Sequence, residues 1–408
     1  MSEHPLPPPA RTGPPPAHAR RGLLAIFCAT FCELVGVFML GPLLLLKLKE
    51  DGHSTAIAGL FAATVWLGIF LVTPLASALT RRLGRRPTLW LSALVPVLTT
   101  AGFGLTDWLP LWFLLHLVAG MAGGLRWVLA EAIVAEMAPP GQRGRFVGLF
   151  ETMVGATFVL GPALLVWMGT GNPLSLWAAF ALLLAGLLWS LAIPPLPRAA
   201  DMHQARVGWA GVWHALRAHP LVMAVGFIGG VFESGITAIL PLYGLSLGIG
   251  ATAAALLVAA SGFGSALMML PAGMLADRMA QHPQRRWGDE ARARLSLMRA
   301  CAVITLMATL AIPFVSGTPW LAAPVAFVWG GAGGCLYTLA MIDIGSREQG
   351  LALVNGTAVL VLSYTAGGVL APALGALALQ WSPAVGFPAL LVFTALLGVW
   401  LLRDRAGD

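Results

Sequence analysis

Twelve apolar segments, each near the ~20 residues that a helix needs to cross a bilayer, partition this chain. They cover roughly 22–46, 56–79, 87–105, 109–137, 146–169, 174–195, 220–246, 252–275, 296–315, 320–344, 351–378 and 383–402; they are numbered here as spans 1 to 12. The chain is 58% hydrophobic and 10% charged, whereas soluble domains carry about 25% charged residues. Glycine and proline within the segments do not argue against helices, because both are more frequent in membrane helices than in soluble ones. The expected fold class is an all-α integral membrane protein with twelve transmembrane helices and the lipid bilayer as its solvent.

A net charge of +7 would suit a nucleic-acid partner, but its placement does not. With the N-terminus inside, 21 of the 24 Lys and Arg residues fall in cytoplasmic segments, among them Arg20, Arg21, Arg81, Arg82, Arg85, Arg86, Arg143, Arg145, Arg285, Arg286, Arg292 and Arg294. The outer loops hold Lys47 and Lys49, and Arg126 lies in a span. This asymmetry is the positive-inside pattern, and it predicts that both termini are cytoplasmic. Residues 1–21, rich in Pro, Ala and Arg, read as a disordered cytoplasmic tail. The first apolar run is too long for a signal-peptide core and is expected to stay uncleaved. Arg-heavy, Lys-poor usage fits a GC-rich bacterial genome, hence the inner cell membrane.

The stretch 196–219 is the longest soluble interval and separates six spans (22–195) from six (220–402); residues 403–408 form a second tail. Shifted by 210, the halves align without a gap over about 40 residues. Gly123 and Gly124 fall on Gly333 and Gly334, Leu129 and Ala130 on Leu339 and Ala340, and Gly161 and Pro162 on Ala371 and Pro372. Glu33 with Pro42 and Glu233 with Pro241 occupy the first span of each half. A parallel 6+6 repeat describes two pseudo-symmetric six-helix bundles around a midplane site.

Residues 77–86 (SALTRRLGRR) resemble the signature that follows span 2 in the major facilitator superfamily (MFS), G-x-L-a-D-r-x-G-r-r, and Gly273 to Arg278 (GMLADR) match its first six positions more closely. Glu136 to Arg145 (EMAPPGQRGR) is similar to the family's loop between spans 4 and 5. Gly155, Gly161 and Pro162 resemble an antiporter-type motif with wider glycine spacing. Glu131, Arg143 with Arg145, Gly161 with Pro162, and Tyr337 to Ala340 together resemble the YcaD-type branch. The resemblance implies secondary transport of a small molecule by alternating access, in a functional monomer. It also implies an inner gate in which carboxylates latch one bundle to the other. This chain departs from the signature at Arg81, where the family has Asp, and at Ser77, where it has Gly. The latch is therefore expected at Asp277 with Arg278, and at Glu136 against Arg85 or Arg86, with Arg81, Arg143 and Asp343 in the same inner gate.

Ionisable residues at bilayer depth mark polar function. Glu33 and Glu233 each lie ~16 Å into their spans at 1.5 Å per residue, and the resemblance implies that both line the central cavity. Desolvation favours the neutral form of a carboxyl group, so both are candidate proton carriers. Arg126 stays charged and cannot carry a proton; it either neutralises Glu33 or holds an anionic group on the substrate. Glu233, with no cation evident in its own half, is then the better carrier. At 100° per residue, His116, Gly120, Gly123, Trp127 and Glu131 share one face of span 4. The glycines suit close helix packing, His116 reads as a hydrogen-bonded histidine, and Glu131 suits a gate or a relay. Glu151 and Asp343 are assigned to the inner gate, and Trp127, Trp329, Tyr337 and Tyr364 to an aromatic wall. Cys28 and Cys32 share a helix face without further ligands and read as core residues; no metal site is expected.

No H-E-x-x-H, G-x-S-x-G or G-x-x-x-x-G-K-[ST] string occurs, so an embedded enzyme and an ATP-driven pump lack their motifs. A sensor would carry a signalling domain for which no segment is long enough. The expected function is proton-coupled efflux of small, partly apolar organic molecules, with the proton gradient as energy source and no cofactor. The alternative is uptake of a metabolite anion anchored by Arg126.

Overall fold

The computed structural model describes residues 17–195, 205–234, 243, 251–281, 290–315, 318–382 and 385–403. Residues 1–16 and 404–408 of the tails, 196–204 of the linker, Pro241, Arg285 and Arg286 lie outside the described residues.

Every expected span is helical over its described residues. Spans 1 to 6 are Ala17–Glu50, Thr55–Val72 continued by Ala76–Leu83, Arg85–Leu105, Leu109–Met137, Arg143–Met168 and Leu174–Leu191. Span 7 begins as Pro220–Ser234, and spans 8 to 12 are Ala251–Gln281, Glu290–Val315, Pro319–Arg347, Gly350–Trp381 and Gly386–Leu401. Span 2 is broken by a 3-10 turn at Thr73–Leu75, where Pro74 cannot donate to the helical ladder. Ten of these helices are long and apolar enough to cross a bilayer. Gly386–Leu401 is shorter, and span 7 is described only for its first fifteen residues. The linker was expected to be merely soluble; its second part forms a short helix, Trp209–Ala218, that meets span 7 at 98°.

Packing repeats with the sequence. Span 4 lies against spans 2 and 3, and span 10 against spans 8 and 9; span 1 lies against spans 5 and 6, and span 7 against spans 11 and 12. Glycine carries the close approaches. A Cβ on Gly120 would overlap the backbone of Val65 in span 2, and its repeat partner Gly330 would overlap Ser261 in span 8. In a membrane, where lipid is as apolar as leucine, such backbone proximity supplies the dispersion energy of association. Many large apolar side chains, such as Leu105, Phe314 and Phe393, face outward. Trp108, Trp167, Trp320 and Trp381 are exposed at helix ends that the charge pattern puts outside, as expected of an interfacial aromatic belt. On the opposite side Arg86, Arg217 and Arg403 stack on Trp90, Trp213 and Trp400 at 4.6, 4.8 and 5.2 Å.

The bundles meet along two seams, span 5 with span 8 and span 2 with span 11, and the inner parts of spans 4 and 10 close the middle.

Candidate functional site

Trp127 and Tyr337, 210 residues apart, occupy equivalent places in spans 4 and 10, and the fold turns both to the middle, with ring centroids 6.3 Å apart. Tyr364 of span 11 completes the group, 5.8 Å from Trp127 and 4.9 Å from Tyr337. Beneath the rings lies Glu131, one turn after Trp127. Its carboxyl group accepts from Trp127 Nε1 at 2.5 Å and from the Tyr337 hydroxyl, which lies 2.9 and 2.8 Å from its two oxygens. The Tyr337 bond joins the two bundles.

Glu131 lies close enough to Glu151 of span 5 for the two carboxyl groups to act on each other. Both are buried, at 2% and 5% exposure. Two neighbouring carboxyl groups with no basic partner among the described residues resist being ionised together. No amide, hydroxyl or basic group of the described residues reaches Glu151 Oε1. Glu151 was expected at the inner gate; it lies in the centre because span 5 enters from the gate and climbs about two turns before its side chain meets Glu131. Glu233 of span 7 is half-buried, bonded to Tyr364 and close enough to act on Glu151. The centre therefore gathers three carboxyl groups, two phenols and an indole from five helices of both bundles.

Glu33 does not join them. It is 3% exposed and turned into the first bundle, where Arg126 Nε lies 3.3 Å from its Oε2 and Arg126 Nη1 donates to Ser190 Oγ at 2.8 Å. Span 6 approaches closely enough at Gly186 for a Cβ there to press on Glu33. Of the two roles open to Arg126, neutralising Glu33 is the one that its position serves. Ser190 carried no sequence signal, since a serine in a membrane helix is ordinary. The expected face of span 4 also divides. His116 stacks on Phe61 at 4.1 Å, with Nδ1 2.9 Å from both Thr64 Oγ1 and the Phe61 carbonyl. Gly120 and Gly124 pack on span 2, whereas a Cβ at Gly123 would meet nothing. Gly123 is thus not a packing glycine: it borders open space one turn above Trp127. Trp329 is fully buried and packs on Phe232 within the second bundle, away from this wall.

Below the cluster, the side that the charge pattern puts inside is shut. Asp277 Oδ1 and Oδ2 accept from the backbone N–H groups of Gly144 and Arg145, both at 2.7 Å. A carboxylate from span 8 thus caps the N-terminus of span 5, whose own cap residue Gln142 makes no such bond, and the helix dipole favours the charge. Gly144 and Gly273 allow the two backbones to touch, and Gln281 Nε2 donates to the Gly141 carbonyl at 3.0 Å.

The other expected latches differ. Arg85 reaches Glu136 at 2.6 Å, but both belong to the first bundle. Arg86 donates to the Leu191 carbonyl, also in that bundle. Asp343 is held by Arg294 and Arg347, each at 2.9 Å, within the second bundle. These pairs brace each bundle and do not join the two. Arg143 crosses more directly: its Nε donates to the Ala135 carbonyl while its stem lies against Gly345 of span 10. Arg81 and Arg278 are exposed and make no hydrogen bond or ion pair among the described residues. At the second seam, where Arg81 replaces the signature Asp, the linker takes over. Gly208 N donates to Ser77 Oγ at 2.9 Å, and Asn355 Nδ2 of span 11 donates to the Arg206 carbonyl at 2.7 Å. A cation could not cap a helix N-terminus, and Ser77, the other departure, supplies the acceptor that the linker uses.

Comparison with known proteins agrees with this architecture. The chain is 23% identical over 373 residues to the uncharacterised MFS-type transporter YfkF of Bacillus subtilis, covering 89% of this chain and 90% of that one. It is 25% identical over 360 residues to the uncharacterised MFS-type transporter YcaD of Shigella flexneri, covering 88% and 89%. Among solved structures, the E. coli fucose:proton symporter FucP superposes with a TM-score of 0.70 at 15% identity, covering 93% of this chain and 98% of that one, which speaks for the fold alone. Residues 26–361 match the family profile of the Major Facilitator Superfamily, so this chain is a member of that superfamily, a multi-pass membrane transporter and not an enzyme.

Proposed function

We propose that the protein is a proton-coupled secondary transporter that exports small organic molecules by alternating access, with the Glu131–Glu151 pair as its coupling site. The observation that carries this reading is a buried pair of carboxyl groups, Glu131 and Glu151, of which Glu131 is hydrogen-bonded through Tyr337 to the opposite bundle. Rocking of the bundles changes the distance between Tyr337 and Glu131, so the protonation of the pair and the side to which the site opens depend on each other. An ionised pair is tolerated only while the site is hydrated or filled by a compensating charge. Glu233, bonded to Tyr364, extends the same network. If proton and substrate use the same carboxyl groups in turn, the exchange is antiport, and an inward proton gradient drives export. The anion-uptake reading loses its anchor, because Arg126 is committed to Glu33 and Ser190.

The same proposal places the chain in the bacterial inner membrane as a functional monomer with both termini cytoplasmic, and it requires no cofactor beyond the proton gradient. The distribution of basic residues and the cytoplasmic arginine–tryptophan stacks support that orientation.

The test is a substrate screen in proteoliposomes with an imposed pH gradient, followed by Glu131→Gln and Glu151→Gln. Each variant should lose net transport driven by the gradient yet keep substrate counterflow. Full gradient-driven transport by the double variant would refute coupling at this pair.

A further inference from the structure

Resting on the reading of the Glu131–Glu151 pair as the coupling site, we infer that the molecule exchanged there is a monovalent organic cation with an alkylated or aromatic ammonium-type head. Three observations lead to this class. The first is charge: Glu131 and Glu151 have no Lys, Arg or His partner among the described residues, and Glu151 Oε1, in a residue 5% exposed, meets no donor. A buried carboxylate requires a counter-charge or a proton, and the only cation deep in the first bundle, Arg126, is bound elsewhere.

The second is the wall. Trp127 and Tyr364 are half-buried, unlike the carboxyl pair below them, and their rings stand 5.8 Å apart at 75°. Indole and phenol faces attract a cation within about 6 Å, most strongly when it is poorly hydrated, as alkylated ammonium groups are. The third is space. The position of a Cβ at Gly123, one turn above Trp127 on the side away from the shut gate, is empty, and Glu233 is half-buried beside Tyr364. A ligand entering from outside would pass Gly123, lie across Trp127 and Tyr364, and present its charge to the carboxyl pair.

The exchange step balances. The cation brings one positive charge; the O–H bond of the protonated member of the pair breaks, and its proton leaves to water. The net charge of the site is unchanged, so one-for-one exchange is electroneutral. A neutral molecule could not displace the proton, and an anion would meet carboxylates.

The experiment uses the full-length protein in detergent, with benzyltrimethylammonium, its neutral isostere neopentylbenzene, and benzoate as probes. Binding is followed by calorimetry, and proton release by a dye in weak buffer. Only the cation should bind, releasing close to one proton each, with affinity falling about tenfold per unit of falling pH below the point where the pair binds its proton. Trp127→Leu should weaken binding at least tenfold and Trp127→Phe far less, which separates loss of the ring from misfolding. Equal binding of neopentylbenzene, tighter binding of benzoate, absence of cation binding, or cation binding without proton release would each overturn the inference. Gradient-driven transport of some other substrate that still requires Glu131 and Glu151 would refute the cation and leave the coupling site standing. Cation transport unaffected by the double Gln variant would refute the coupling site instead.

Discussion

Arg126 and Glu33 are each 3% exposed, and a buried charge that loses its partner is expensive, about 3–5 kcal/mol. Arg126→Ala should therefore lower the thermal unfolding midpoint and the membrane abundance of the protein. Replacing both residues, as Arg126→Met with Glu33→Gln, should recover much of the loss, because the remaining pair is neutral. Midpoints of the single and double variants decide the matter: an Arg126→Ala protein of normal stability that fails only in ligand binding would return Arg126 to the substrate site. The Glu131–Glu151 pair should behave differently. Glu131→Gln keeps an acceptor for Trp127 and Tyr337, so its stability should stay near that of the parent while coupling is lost.

The seams between helices are set by glycine and by one carboxylate. Asp277→Ala removes the cap on span 5, and an N-cap is worth about 1 kcal/mol. That is small for a fold but large for a conformational equilibrium, where it shifts populations severalfold. A cysteine introduced at Leu270, beside Gly148 on the inner seam, should label faster from the cytoplasmic side in Asp277→Ala than in the parent. Gly144→Val should go further, since its side chain would overlap the Gly273 backbone and hold the gate apart. Unchanged labelling in both variants would mean that these contacts do not govern closure. At the other seam, Ser77→Ala and Asn355→Ala should loosen the linker segment near Gly208, read as faster proteolysis between spans 6 and 7. No effect there would deny the linker its role in place of the missing Asp.

For the molecule as a whole, orientation rests on charge and can be read directly. Reporter fusions after Leu196 and after Asp408 should both give cytoplasmic signals, and a periplasmic signal from either would overturn the twelve-span arrangement. Span number, bundle division and membrane class were all readable in the chain, because each depends on features that act along the sequence. Apolar length follows from bilayer thickness, and the two bundles from a repeat that survives at an offset of 210. Asp277 was readable for the same reason: a signature ties it to its place. Which way a side chain turns around its helix is not a property of that kind. Glu33 and Glu233 look equivalent in sequence, yet a close approach by span 6 at Gly186 draws one to Arg126, while the other stays in the network at Tyr364. Glu151 seemed a gate residue by its distance from a loop; only the packing of span 5 against span 4 brings it to Glu131. The chain by itself determined that this is a two-bundle membrane transporter, because hydrophobic burial and topology are summed over many residues. The tertiary structure alone decided which carboxyl groups gather at the centre and which is neutralised, because that turns on contacts of a few ångströms between helices far apart in sequence.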